Sequence, residues 1–131
     1  MPKATMAVAA SSGSSPGGAR IGSQEPRARV AVGDVAATDG PNAGMLVGSM
    51  GLELPPWEHA VLDDWCAVGV RYRAAYSTCG LSVPCQNGKN AVVESFEAHR
   101  SAVCGWHALH TACRVKTVKK SLQRLVRYFT R

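Results

Sequence analysis

The chain is short of aromatic residues, of any long apolar run, and of acid at one end. Phe, Trp and Tyr make up 6% of its 131 residues, so a core must be built mainly from aliphatic and small side chains. No stretch approaches the roughly 20 consecutive apolar residues that span a bilayer. At the start, Met1–Ala10 offers one lysine and an apolar run of only Met6–Ala10, too short for the apolar region of a secretory signal. The five cysteines, an odd number, are scattered as Cys66, Cys79, Cys85, Cys104 and Cys113. With no export signal before them, free thiols in a reducing cytoplasm are expected. From Thr111 to Arg131 there is no acid, but seven basic residues: Arg114, Lys116, Lys119, Lys120, Arg124, Arg127 and Arg131. The rest of the chain holds eight basic and nine acidic residues. The net charge of +6 therefore belongs to one C-terminal segment, suited to nucleic acid or an anionic membrane, or simply to a solvated helix face.

What is present falls into two parts. Residues 1–44 form a low-complexity lead-in, and its first 24 residues, rich in Ala, Ser and Gly, bury too little to offset their ordering entropy. Arg27–Val35 alternates weakly and suits a short strand or an extended arm. Asp39-Gly40-Pro41-Asn42 is a turn signal, and Met45–Leu54 suits one helical turn ending at Gly51. From residue 45 to 131 one packed domain is expected. Pro55-Pro56 opens a helix running to about Gly69, with Trp57, Val61 and Trp65 on one face and Glu58, Asp63 and Asp64 on the surface. Tyr76–Val83 reads as a strand, ended by Pro84. A helix from Gly88 to about Val103 places Val92, Phe96, His99 and Val103 inward and Glu94, Glu97 and Arg100 outward. Trp106–Thr111 reads as a second strand. The final helix, Arg114–Phe129, carries the clearest stripe: Val115, Val118, Leu122, Leu125, Val126 and Phe129. Strands alternating with helices predict an α/β fold with parallel strands.

The stretch Leu81–Asn90 carries the chemistry. An apolar run ends at Pro84, and Cys85, Gln86 and Asn87 lead to Gly88-Lys89 at a helix start. A helix N-terminus presents unpaired N–H groups and partial positive charge to a phosphate. Gly88 allows close approach, and Lys89 reaches the outer phosphates. Against the pattern G-x-x-x-x-G-K-[ST], Val83 stands in the first glycine slot and Asn90 in the last. As a bare pattern this is weak.

The wider context is more specific. Leu54-Pro55-Pro56-Trp57-Glu58, Val61-Leu62-Asp63-Asp64-Trp65, Thr78 to Glu94, Leu109-His110-Thr111-Ala112 and Val115-Lys116-Thr117 together resemble the large subunit of tailed-phage terminases, the ATP-driven motors that package DNA. The likeness covers most of 51–131 and is nearest to versions from phages and prophages of actinobacteria. It implies a partial P-loop NTPase, strand–P-loop–helix–strand–helix, with Pro84, Gln86, Asn87, Gly88, Lys89 and Asn90 as the nucleotide-binding Walker A loop. Lys89 would hold phosphates, Asn90 would stand near Mg²⁺, and Trp57 and Glu58 would sit by the adenine. The cofactor implied is ATP with Mg²⁺. The partners implied are phage DNA, the small terminase subunit and the portal, with oligomers in intact family members and the bacterial host cytoplasm as the location.

Four positions depart from the family. Cys85 stands where it usually has an arginine that stabilises the transferring phosphoryl group, and a thiol has no such cation. Glu58 stands where it usually has glutamine, so the donor to adenine is lost. Cys113 and Arg114 replace an expected His and Glu. The family's Walker B acids and nuclease residues lie further along than Arg131. A truncated ATPase fragment is therefore expected, binding nucleotide at most, with no catalytic residue assignable.

The alternative is a small non-enzymatic basic module binding nucleic acid or anionic membrane through Arg114–Arg131. Cys104, His107, His110 and Cys113 are zinc-ligand types, but steps of three converge on neither a strand nor a helix face, and no metal ligand is assigned. Neither Cys85 nor Cys113 has the local signature of a catalytic nucleophile, though a thiol at a helix N-terminus has a lowered pKa.

Overall fold

The computed structural model describes residues 5–7, 23–31, 33–84 and 88–130. Its elements run β1 (Thr5–Ala7), β2 (Arg29–Ala31), β3 (Ala37–Thr38), α1 (Gly40–Ser49), α2 (Pro56–Trp65), β4 (Ala67–Val68), a 3₁₀ turn (Val70–Tyr72), α3 (Lys89–Ala102) and α4 (Val115–Phe129). Helices α1, α2 and α3 pack on one another, and the short strands form two separate ribbons at the margin.

Local chemistry explains the helix starts. Asp39 precedes α1 and Pro41 occupies its first turn, where a missing N–H costs nothing. The expected turn at Asp39–Asn42 is thus the beginning of a helix of 10 residues. Pro56 likewise opens α2, which stops at Trp65, short of the expected Gly69. Beyond it, Ala67–Val68 turns extended and pairs with β3.

The core is a thin layer of Ala43, Leu62, Cys66 and Val92, with Leu54, Trp57, Val61, Trp65, Leu81 and Phe96 packed around it. Trp65 meets Phe96 edge to face, ring centres 5.7 Å apart. Glycines on α1 let α2 come close: a Cβ at Gly44 would lie 2.7 Å from His59 Cε1, and one at Gly40 would overlap the backbone of Asp63. Leu62 is fully buried, whereas Trp57, Val61 and Trp65 of the expected stripe are partly buried around the core.

The parallel α/β architecture is corrected by this arrangement. Both ribbons are two-stranded and antiparallel: β1 with β2 in the register Thr5–Ala31, Met6–Val30, Ala7–Arg29, and β3 with β4 through Ala37–Val68 and Thr38–Ala67. Neither Tyr76–Val83 nor Trp106–Thr111 is a strand. A parallel pair is stable when both its faces are covered. Here most of 76–83 is exposed, and Leu109 is 90% exposed. The expected strand–P-loop–helix unit, and with it the Walker A loop, is therefore not formed among the described residues. Cys85, Gln86 and Asn87 of that loop lie outside them. So does most of 1–22, expected to stay unstructured; within it the backbone of β1 pairs with β2.

Helix α4 lies apart from the core layer and is tied to α3 by one ion pair. Arg124 Nε donates to Glu94 Oε2 at 2.8 Å, and its Nη2 donates to Oε1 at 2.5 Å. Glu94 is fully buried, contrary to the expected outward face of α3. Val115, Leu122, Val126 and Phe129 of the α4 stripe remain exposed.

Truncation should separate the enclosed layer from this open face. Leu62→Ala is expected to cost about 2–5 kcal/mol in urea unfolding. Leu122→Ala is expected to cost less than about 1 kcal/mol, because its side chain is already largely in water.

Candidate functional site

Five residues expected at a nucleotide site come from the starts of two helices. α2 supplies Trp57 and Glu58 in its first turn, and α3 begins at Gly88-Lys89-Asn90. The packing of α2 on α3 brings these starts together. A Cβ on Gly88 would overlap Glu58 Oε1 and would lie 3.9 Å from Trp57 Cζ2. Gly88 also adopts φ +78°, the left-handed conformation that disfavours a side chain. The left-handed backbone is what favours glycine here; the Glu58 contact is with the end of a flexible side chain.

The start of α3 is open. No side chain caps it, and Lys89 and Asn90 are exposed. The first turn of a helix leaves N–H groups without intrahelical partners, and the N-terminal end of the dipole favours an anion. Glu58 is the anion at hand. It is only 4% exposed, and burial pushes its carboxyl up to about 7. The sequence reading placed it on the surface; the closeness of Gly88 buries it.

Of the expected site residues, Trp57, Glu58 and Gly88 are brought together, and Lys89 and Asn90 follow directly on α3. Pro84 is exposed at the end of an irregular segment. Gln86 and Asn87 lie outside the described residues. The exposed lysine and the free helix end fit phosphate groups. For Mg²⁺ the fit is poorer: among the described residues no three His, Cys, Asp or Glu side chains converge as metal ligands. The ion therefore fits here only as a counter-ion carried by the phosphates.

Other polar groups are drawn in as well: His99, expected on the inward face of α3, is buried, and His110 is half-buried. His99 is fully enclosed, and its Nε2 lies 2.8 Å from Asp39 Oδ2 without hydrogen-bond alignment. His110 Nδ1 lies 2.8 Å from Glu97 Oε1. Arg100, placed outward by the sequence reading, is 6% exposed and is stacked between the rings of Phe96 and Trp106. The signal for it was present in the sequence as an i, i+4 Phe–Arg pair followed by a nearby Trp.

No family model, curated protein or solved structure matches the chain. None of the described helices is long and apolar enough to cross a membrane.

Burial of Glu58 has a measurable consequence. The folded chain holds that proton to about pH 7, and the unfolded chain releases it near the ordinary 4.5. Between these values the native state binds the extra proton, so stability falls as pH rises through the window and levels off above it. Glu58→Gln is expected to be more stable than wild type at pH 8, with the difference closing toward pH 4.5, in urea unfolding followed across that range.

Proposed function

We propose that this chain is a portion of a terminase-like DNA-packaging motor, and that its own part is to hold the phosphate end of ATP, with its Mg²⁺, at the start of α3. The observation that supports this most is the meeting of Trp57 and Glu58 with Gly88, some 30 residues later in the sequence. The terminase resemblance expects these two segments to share one nucleotide, and the packing of α2 on α3 is compatible with that. Lys89 supplies the cation, the first N–H groups of α3 supply donors, and Trp57 supplies a flat apolar surface for a base. Phage DNA, the small terminase subunit and the portal are the partners of this reading, and a bacterial cytoplasm is its setting.

Hydrolysis is not assigned to the chain. The position where the family places its phosphate-stabilising arginine is Cys85, which offers no fixed charge. Glu58 adds a second handicap. Once ionised, its carboxylate stands beside the place where phosphate would enter, and like charges at short range repel. Nucleotide affinity is therefore low and falls as pH rises through about 7.

A second reading rests on a separate observation. α4 exposes Val115, Leu122, Val126 and Phe129 together with Lys116, Lys119, Lys120 and Arg127. A basic amphipathic helix of this kind suits nucleic acid phosphates or an anionic lipid surface without any enzymatic role.

Calorimetric titration with Mg-ATP tests the first reading. Lys89→Ala should weaken binding by about tenfold or more, the loss of one charge-assisted contact. Glu58→Gln should tighten it about three- to tenfold at pH 8 and little at pH 6. Affinity indifferent to Lys89 would remove the proposal.

A further inference from the structure

A cleft of about 260 Å³ is bordered by residues that include Trp65, Tyr76, Cys79, Phe96, Arg100 and Trp106. Four of its eight lining residues are aromatic, in a chain where aromatics are scarce. Trp65 and Phe96 are fixed by their edge-to-face contact. Trp106 is 49% exposed and belongs to an irregular segment.

Arg100 makes this more than an apolar crevice. Its guanidinium carbon is 5.4 Å from the Phe96 ring centre and 5.0 Å from that of Trp106. It has five N–H donors to satisfy. Nη2 donates to the Trp65 carbonyl at 3.5 Å, which is long, and Nη1 donates to Cys104 Sγ at 3.6 Å, a weak acceptor. Nε is closed off from solvent with no partner among the described residues. The ion pairs among those residues belong to Arg29, His99, His110 and Arg124, so no described carboxylate lies within 4 Å of Arg100. Glu94, one and a half turns earlier on α3, is already taken by Arg124. A buried cation held by ring faces, one stretched contact and one weak acceptor is underpaired, and burial of a charge is costly without a partner.

We propose that this cleft binds a small aromatic carboxylate. The ring of the ligand would lie among Trp65, Tyr76, Phe96 and Trp106. Its carboxylate would give Arg100 the counter-charge the described chain does not provide, in the paired geometry that guanidinium favours. The cleft has room for a single ring and a short side group but not for a nucleotide. The site is independent of Gly88 and Lys89.

The test is ligand-observed ¹⁹F NMR with 4-fluorobenzoate and the full chain, using 4-fluorobenzyl alcohol as the neutral counterpart. The expected result is saturable binding of the carboxylate with Kd at or below about 1 mM, with the alcohol at least about tenfold weaker. Arg100→Met should abolish binding of the carboxylate, and Trp106→Ala should weaken it severalfold. Circular dichroism establishes that each variant is folded; if Arg100→Met is not, Trp106→Ala and the alcohol decide the matter. Absence of saturation, equal affinity for acid and alcohol, or affinity unchanged by Trp106→Ala would overturn the proposal.

Discussion

The layer of Ala43, Leu62, Cys66 and Val92 is the constraint on which the rest of this structure depends. It is thin, and it works because α1 presents glycine at positions 40 and 44, where α2 would otherwise be held away. With α2 packed on both α1 and α3, the first turn of α2 falls against the start of α3. Glu58 is buried there because of that seating, not through any partner of its own. The same packing leads the chain out of α2 into Ala67–Val68, where β3 pairs with it, and brings Asp39 to His99. Little outside the layer is held independently. α4 depends on the bidentate Glu94–Arg124 pair and keeps much of its apolar stripe in water.

The buried charges sort by how well they are satisfied. Glu94 has a guanidinium on both oxygens, which is the condition under which a buried ion can hold two helices in register. Glu58 and Arg100 do not reach that condition. One is a carboxyl made reluctant to ionise and placed at a helix start; the other is a cation between two rings with one stretched contact and one weak acceptor. Such groups weaken a small domain, and they also mark where an outside molecule would gain most by binding. Glu58 lies beside the start of α3 and Arg100 in its last turn.

Much of the helical content was legible because its signals are local. Pro56 marks the start of α2, Gly88 marks the start of α3, and the apolar period of α4 gives its length nearly to the residue. The strands at Tyr76–Val83 and Trp106–Thr111 were misread because β propensity describes a residue's fit to a covered pleated surface, and here that cover is absent. α1 was underestimated because Gly-Pro-Asn reads as a turn, although proline also suits a helix's first turn. Glu58, Glu94 and Arg100 were placed outward on the rule that charges face water. Their burial follows from what α2 and α4 bring against them, which periodicity along one helix does not show. Trp57 and Glu58 do meet Gly88, but in a helical assembly rather than the parallel sheet expected.

The central claim is that the start of α3, with Trp57 and Glu58 beside it, is where this chain meets a phosphate-bearing ligand. Amide and indole ¹H–¹⁵N shifts followed during titration with Mg-ATP at pH 6 test it most directly. The account predicts that Gly88, Lys89, Asn90 and the Trp57 indole shift together along one saturation curve, while the amides of α4 stay nearly still. Shifts confined to the basic residues of α4, or none that saturate at Gly88 and Lys89, would contradict it.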